Sequence, residues 1–199
     1  MDSSFHKITT HQGYSRHLQP YMGGRRFALG GVGLQRSLRC VRAILCGGTK
    51  KRDKDLRKAH LWMGYGLFEK VVADVAYAKF KAMPTYAELL KTPQKYVDMV
   101  IAALKCDEKQ AKTLLLGRLN GCHLGRWLAK EGLKGTLPRD VMNLFGEFDT
   151  VRDVLIQSRP DILSAARAAG RERPELTAFS YLLCEEEDRA LQIMEDHLF

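Results

Sequence analysis

The apolar residues of this chain recur with a helical period from Ala59 to the C-terminus. Leu61, Tyr65 and Phe68 are three or four residues apart, which places them on one face of a helix. We predict that Pro84 ends this first helix, because proline lacks the N–H group that a helix interior requires. An apolar stripe of this kind is buried against other elements, so the sequence predicts a mainly helical body with a packed core.

Capping residues, prolines and glycines predict where the further helices begin and end. Thr85 and Glu88 have the spacing of a capping box, and Thr92 stands before a proline, as at many helix starts. Asp107 can cap a helix that Gly121 closes. The remaining helices are predicted at about residues 123–131, 138–146, 150–158, 160–169 and 174–199.

The N-terminal quarter has a different pattern. Residues 1–22 are polar and rich in histidine, and we predict that they form an extended arm. The segments that look like strands are short, at 25–29 and 40–46. We therefore predict an arm over 1–22 and a single domain over 23–199. The predicted fold class is mainly α with a small antiparallel β element, that is, α+β.

Positive charge is concentrated in this quarter of the chain. Residues 3–52 contain ten Lys or Arg and no Asp or Glu, Asp2 contributes one negative charge, and residues 53–199 carry no net charge, so that the whole chain has a charge of +9. Each phosphate that a cation neutralises releases condensed counterions, so such a segment suits a nucleic acid. A basic tail or an organelle transit peptide is the alternative. Gly23-Gly24 and Gly30-Gly31 break the long amphipathic helix of a transit peptide.

Cysteine usage and hydropathy limit the compartment. The five cysteines are scattered and form no C-x-x-C pair, so neither a disulfide framework nor a zinc site is indicated. No apolar run approaches the roughly 18 residues that a membrane span needs, and the N-terminus has no apolar core of a secretory signal. We expect an intracellular protein, cytoplasmic or nuclear, without a membrane partner; import into an organelle remains open.

Three groups of residues carry candidate chemistry, and in chain order they lie at 24–42, 53–60 and 112–121. Phosphoryl transfer to a primer hydroxyl needs magnesium ions, and a carboxylate such as that of Asp55 binds magnesium. A lysine on a helix, such as Lys112, can meet the charge of a triphosphate, and Gly121 can let a helix end approach a base pair. Basic and amide side chains grip phosphates and groove edges. The predicted nucleic-acid contacts are Arg25, Arg26, Gln35, Arg36, Arg39 and Arg42.

In this order the three groups resemble the palm and fingers of the family A DNA polymerases, especially divergent members from viruses and mobile elements. In that family a G-R segment, an L-Q pair and an arginine precede an aspartate motif, which reads like D-I-D-x-x-N-A-H-P in divergent members. A lysine of the fingers then lies eight residues before a Tyr-Gly or similar pair. The matching residues are Gly24-Arg25, Leu34-Gln35, Arg42, Asp53, Asp55, Ala59, His60, Lys112 and Asn120-Gly121. The resemblance covers about residues 23–125.

The resemblance implies a partial palm and fingers that carries out template-directed nucleotidyl transfer, that is, DNA synthesis during replication. Asp53 and Asp55 would be the catalytic carboxylates, and Asp55 would bind the Mg²⁺ cofactor. The implied nucleotide-binding residues are Lys112, Asn120, Gly121 and His60. The implied partners are DNA or another nucleic acid and a nucleoside triphosphate.

The sequence also departs from that family, and the departures leave alternatives open. Glu108 stands where the fingers carry an arginine, and no second aspartate motif follows the last predicted helix. An active enzyme and a truncated, inactive fragment of one are both compatible with this pattern. The alternatives are a non-enzymatic basic helical protein that binds nucleic acid, and a helical adaptor for an acidic protein. Trp62 and Trp127 stand apart, so the sequence indicates no aromatic platform for single strands.

Overall fold

The structure is a computed structural model, which describes residues 7–9, 15–17, 59–74, 77 and 83–198. Eight helices form the described part of the body. Their bounds are α1 (Ala59–Val72), α2 (Pro84–Lys91), α3 (Pro93–Leu104), α4 (Glu108–Leu119), α5 (Leu124–Glu131), α6 (Arg139–Ser158), α7 (Pro160–Ala168) and α8 (Pro174–Leu198).

The structure describes two short strands close to the N-terminus, each three residues long. β1 (Lys7–Thr9) pairs antiparallel with β2 (Ser15–His17), with Ile8 opposite Arg16. The predicted strand-like segments, 25–29 and 40–46, lie outside the described residues.

The predicted fold class is wrong. We expected an α+β fold with a partial polymerase palm and fingers, but the described residues between 59 and 198 form helices and their connections, with no strand. The physical reason is that the apolar stripes in this part of the chain all have the helical period, so no segment offers the alternating faces of a strand. The predicted boundary between residues 22 and 23 lies outside the described residues and stays a prediction.

Helix α6 is the centre of the body. It is 20 residues long and packs against α1, α2, α3, α4, α7 and α8. The buried residues on it include Phe145, Phe148 and Val151, and they belong to one apolar core shared by the described helices. A single stripe of buried side chains along α6 therefore holds several helices together, and burial of this stripe is the main stabilising contribution.

The sequence predicted two helices where α6 is continuous. The expected break lay between residues 146 and 150, and Gly146 stands at its start. Gly146 is exposed, and a side chain there would meet nothing within 4 Å, so it interrupts no packing. Phe148 and Val151 continue the buried stripe across the expected break. Burial of these two residues outweighs the roughly 1 kcal/mol by which a glycine disfavours a helix.

The N-terminus of α2 is capped from a distant part of the chain. The carboxylate of Glu147 on α6 accepts hydrogen bonds from the backbone N–H groups of Thr85 (3.1 Å) and Tyr86 (2.6 Å). The predicted capping box of Thr85 and Glu88 is therefore wrong. The carboxylate of Glu88 instead accepts hydrogen bonds from Lys95 (2.7 Å) and from the Tyr96 hydroxyl (2.8 Å), which ties α2 to α3.

Tyr86 lies at the junction of α1, α2 and α6. Its hydroxyl donates to the carbonyl of Leu61 (2.7 Å), and its ring makes edge-on contacts with Tyr65 and Phe148 at centroid distances of 5.2 and 4.8 Å. Burial raises the pKa of this hydroxyl well above its ordinary value, so the phenol stays neutral and remains a hydrogen-bond donor.

Among the described residues, no helix has the length and apolar composition needed to cross a bilayer.

Candidate functional site

Most of the predicted site lies outside the described residues. The two predicted catalytic carboxylates, Asp53 and Asp55, belong to this part of the chain. The same holds for all the predicted nucleic-acid contacts, which are Arg25, Arg26, Gln35, Arg36, Arg39 and Arg42. Their arrangement therefore stays a prediction. The described residues include Lys112, Asn120, Gly121 and His60, and the structure places these four in three separate surroundings.

Lys112 is exposed on the first half of α4. Its ammonium group pairs with the carboxylate of Glu108, one turn earlier on the same helix. Both side chains line an open depression of about 560 Å³ on the outer face of α4. Asp107 and Lys109 also line this depression, so the two cations there are balanced by two carboxylates. The surface around Lys112 therefore has no surplus of positive charge for a triphosphate.

Asn120 and Gly121 form the C-terminal end of α4. The amide of Asn120 donates to the carbonyl of Leu116 (2.9 Å), and Asn120 is the C-cap residue of α4. Gly121 has a φ of 81° and lies against Leu176 on α8, so closely that a side-chain carbon at this position would overlap Leu176. The conformation and the close approach both require glycine. In this structure, therefore, the Asn-Gly pair ends a helix and allows α8 to pack.

Lys112 lies in the first half of α4, and Asn120 lies at its C-terminal end. They are eight residues apart on a continuous helix, which at 1.5 Å per residue separates their backbones by about 12 Å along the axis. His60 belongs to α1, where its Nε2 lies 3.9 Å from a carboxylate oxygen of Glu187 on α8. The structure brings His60 together with an acidic residue of α8, a contact that the sequence did not predict.

Sequence reasoning missed a cluster of two arginines and one aspartate behind the end of α4. The guanidinium of Arg118 donates to both carboxylate oxygens of Asp149 (3.1 and 3.0 Å), and that of Arg152 donates to the same carboxylate (2.7 Å). Arg118 also donates to the carbonyl of Cys122 (2.5 Å), and Arg152 lies 3.4 Å from the carbonyl of Leu119. Cations at the C-terminal end of a helix are favoured by its dipole.

The environment of this cluster indicates a structural role. The side chains of Arg118 and Arg152 are only 13% and 12% exposed. Arg118 lies over the ring of Phe145, with 5.1 Å between the guanidinium carbon and the ring centroid. The Nε of Arg118 is buried and, in the part of the chain that the structure describes, has no hydrogen-bond partner. No local sequence pattern could reveal the cluster, because Arg118 and Asp149 are 31 residues apart.

Several other cations of the body are also held by carboxylates. Lys95 pairs with Glu88 at 2.7 Å, and Arg159 pairs with Asp161 at 2.8 Å and with Glu185 at 3.3 Å. The hydrogen bonds from Arg159 hold the pKa of the Asp161 carboxyl below its ordinary value. Arg167–Glu175 and Arg189–Glu186 are further pairs. In the part of the chain that the structure describes, seven cations of the body thus have a carboxylate partner.

Metal binding is not tested by the described residues. Within the described ranges, no group of three or more His, Cys, Asp or Glu side chains is arranged to hold a metal ion. The predicted Mg²⁺ ligand, Asp55, lies outside those ranges, so the magnesium prediction stays open. Cys106, Cys122 and Cys184 carry free thiols.

One surface residue was set aside by the sequence analysis and is prominent in the structure. Trp62, in the first turn of α1, is 54% exposed, whereas Trp127 on α5 is 6% exposed. The helical period could have revealed this difference, because a stripe through Leu61 and Phe68 turns residue 62 away from the core.

Comparisons with known proteins returned no match. No family model matches the chain, and neither a curated protein nor a solved structure does so. The resemblance to family A DNA polymerases and the activity that it implies therefore stay predictions.

Proposed function

We propose that this protein is a non-enzymatic helical nucleic-acid-binding protein. Residues 3–52 contact the phosphates, and the helices between residues 59 and 198 form the scaffold that carries them. The observation on which the proposal rests is the division of charge: ten cations without a carboxylate in residues 3–52, followed by a remainder of zero net charge.

The internal pairing of the body supports this division of labour. Arg118, Arg152 and Arg159 are all engaged by carboxylates, so they are not free to neutralise phosphates. The cations of residues 3–52 have no acidic residue within their own segment. Cations that are not already neutralised release counterions from a nucleic acid on binding, and this release drives the association. Because such contacts are made to the backbone, we expect binding with little dependence on base sequence.

The compartment is part of the proposal. Nucleic acids and reduced thiols occur together in the cytoplasm and the nucleus, and Cys106, Cys122 and Cys184 are free thiols. We therefore propose an intracellular protein.

A salt titration of binding tests the proposal with a matched control. In the test variant Arg25, Arg26, Arg36, Arg39 and Arg42 are replaced by Gln. In the control variant five exposed lysines of the body, Lys70, Lys91, Lys109, Lys130 and Lys134, are replaced by Gln. Both changes remove five positive charges, so a difference between the variants depends on where the charges lie and not on net charge.

Binding of the full-length chain to a fluorescent duplex is measured by anisotropy between 50 and 200 mM salt. If all five arginines contact phosphates, the slope of log K against log salt becomes shallower by about 4 to 5 in the test variant. We expect the control to keep a slope close to that of the wild type. Equal slopes for the test variant and the wild type would contradict the proposal, and so would an equal loss in both variants.

Primer extension distinguishes the proposal from the polymerase-like alternative. The wild-type chain and the Asp55→Ala variant are incubated with a primed template, nucleoside triphosphates and Mg²⁺. We expect no extension by either protein. Extension by the wild type that Asp55→Ala abolishes would overturn the non-enzymatic part of the proposal and leave the phosphate-binding part in place.

A further inference from the structure

The indole of Trp62 does not belong to the apolar core of the described body. Trp62 is 54% exposed, and it is the most exposed of the large hydrophobic side chains of the described residues. Tryptophan offers a larger apolar area than other side chains, so leaving it in water forgoes a large stabilisation. The other tryptophan, Trp127, is 6% exposed and belongs to the core.

The orientation of α1 points Trp62 away from the acidic residues of α8. Successive residues of a helix are rotated by about 100°, so Trp62 and His60 lie about 200° apart around the axis. His60 faces α8, where its Nε2 lies 3.9 Å from a carboxylate oxygen of Glu187. Trp62 therefore lies on the side of α1 opposite that carboxylate.

The neighbouring position on the same face leaves the indole uncovered. Gly66 is one turn further along α1, at the spacing where a side chain would lie beside Trp62. Gly66 is exposed, and a side-chain carbon at this position would meet nothing within 4 Å. At this position, therefore, no side chain of α1 lies beside the indole ring.

The chain immediately before Trp62 is strongly basic. Residues 50–58 contain six Lys or Arg and two Asp. Lys58 is four residues before Trp62, and four residues of chain span at most about 15 Å. Chain connectivity alone therefore keeps the backbone of Lys58 within about 15 Å of the backbone of Trp62. An aromatic surface beside such charge is the combination by which proteins bind single strands.

We propose that Trp62 stacks on an unpaired nucleobase, so that the protein binds single-stranded nucleic acid through the indole. This inference rests on the proposed function and specifies its substrate class. In a duplex both faces of each base are already stacked, so the indole gains little there. A single strand exposes these faces to side chains.

The two tryptophans allow a direct test by fluorescence. Trp127→Phe leaves Trp62 as the only tryptophan, and Trp62→Phe leaves Trp127. Both full-length variants are titrated with oligo(dT), oligo(rU) and a matched duplex at low salt. We expect oligo(dT) and oligo(rU) to quench the emission of Trp62 and leave that of Trp127 unchanged. If Trp127→Phe does not fold, the quenching lost between the wild type and Trp62→Phe gives the same information.

Affinity provides the second readout. Stacking contributes about 1–3 kcal/mol per base, so we expect Trp62→Ala to weaken single-strand binding about 5- to 150-fold. We expect less than a twofold change for the duplex and partial rescue in Trp62→Phe, whose ring still stacks. Trp62→Ala that binds oligo(dT) and oligo(rU) like the wild type would overturn the inference alone. An emission shift that depends only on protein concentration would overturn it too, by assigning Trp62 to self-association.

The outcomes separate this inference from the proposed function. Suppose that the wild type binds and the five-arginine variant shows the shallower slope, but oligonucleotides do not quench Trp62 and Trp62→Ala binds like the wild type. The phosphate-binding proposal then stands and the stacking inference fails. If the wild type binds neither single strands nor duplex at low salt, both fail, and the failure lies with the proposed function.

Discussion

The basic segment and the helical body hold their positive charges in opposite ways. In residues 3–52, ten cations have no carboxylate in their own segment. In the body, Arg118 and Arg152 converge on Asp149, and Arg159 on Asp161. A cation that already has a carboxylate partner contributes to the fold, whereas one without such a partner is available to another molecule. Substitutions in the body should therefore change stability without changing nucleic-acid binding.

The largest effect on stability is expected at Asp149. Asp149→Ala leaves two guanidinium groups, each more than four-fifths buried, without their carboxylate. We expect a loss of about 2–3 kcal/mol in the free energy of unfolding, measured by urea denaturation. Asp153→Ala, at an exposed position on the same helix, is the control and should change stability by less than about 0.5 kcal/mol. If Asp149→Ala weakened nucleic-acid binding while the fold stayed intact, the expectation of unchanged binding would be wrong.

The next largest effect on stability is expected at Gly121. Gly121 and Gly170 both have a positive φ, 81° and 62°, but only at Gly121 would a side chain overlap a neighbour, Leu176. We expect Gly170→Ala to cost about 1 kcal/mol, for the left-handed backbone alone, and Gly121→Ala about 2 kcal/mol. Thermal unfolding of both variants gives the difference. Equal stabilities would mean that α8 adjusts to the added carbon.

A smaller effect is expected for the cap that α6 provides. Glu147→Ala leaves the N–H groups of Thr85 and Tyr86 without their acceptor. We expect a loss of about 1 kcal/mol, since the cap also places a negative charge at the positive end of α2. Glu172→Ala removes an exposed carboxylate and serves as the control. A loss of equal size in both variants would show that net charge, and not the cap, is responsible.

The smallest effect is a dependence on pH. The hydrogen bond from Lys95, and then that from Tyr96, holds the pKa of the Glu88 carboxyl below its ordinary value of 4.5. A lowered folded-state pKa means that the contribution of Glu88 to stability is complete above 4.5 and is lost as the pH falls through the folded-state value. The stability difference between wild type and Glu88→Gln should therefore shrink from pH 6 to pH 3 in urea titrations. A difference that does not change with pH would contradict the pKa direction.

Much of the helical body could be predicted from the sequence, where the determining interactions are local. Asp107 caps α4 as predicted and forms a capping box with Gln110. The starts of α3, α7 and α8 fall at prolines, as predicted. The errors arose where distant residues decide. The continuity of α6 depends on core contacts of Phe148, and the cap of α2 comes from Glu147, 61 residues from Tyr86.

The candidate site was less accessible to sequence reasoning. Matching residue types by their order along the chain assumes a fold, and the α+β class that was expected is not that of the described body, which is helical. Lys112 and Gly121 have the spacing of the family, but that spacing on a helix is also satisfied by an ion pair one turn back and by a helix end. Charge and exposure need no assumed fold. They support the proposal for residues 3–52 and for Trp62 more directly.

The reach of Glu147 across the chain also orders events during synthesis. A ribosome releases residues 84–91 well before residue 147, so the segment that becomes α2 emerges without its cap. Eight residues are too few for a stable isolated helix in water. The first turn of α2 therefore lacks this acceptor until α6 has been made, and the cap forms only when α6 packs against α2.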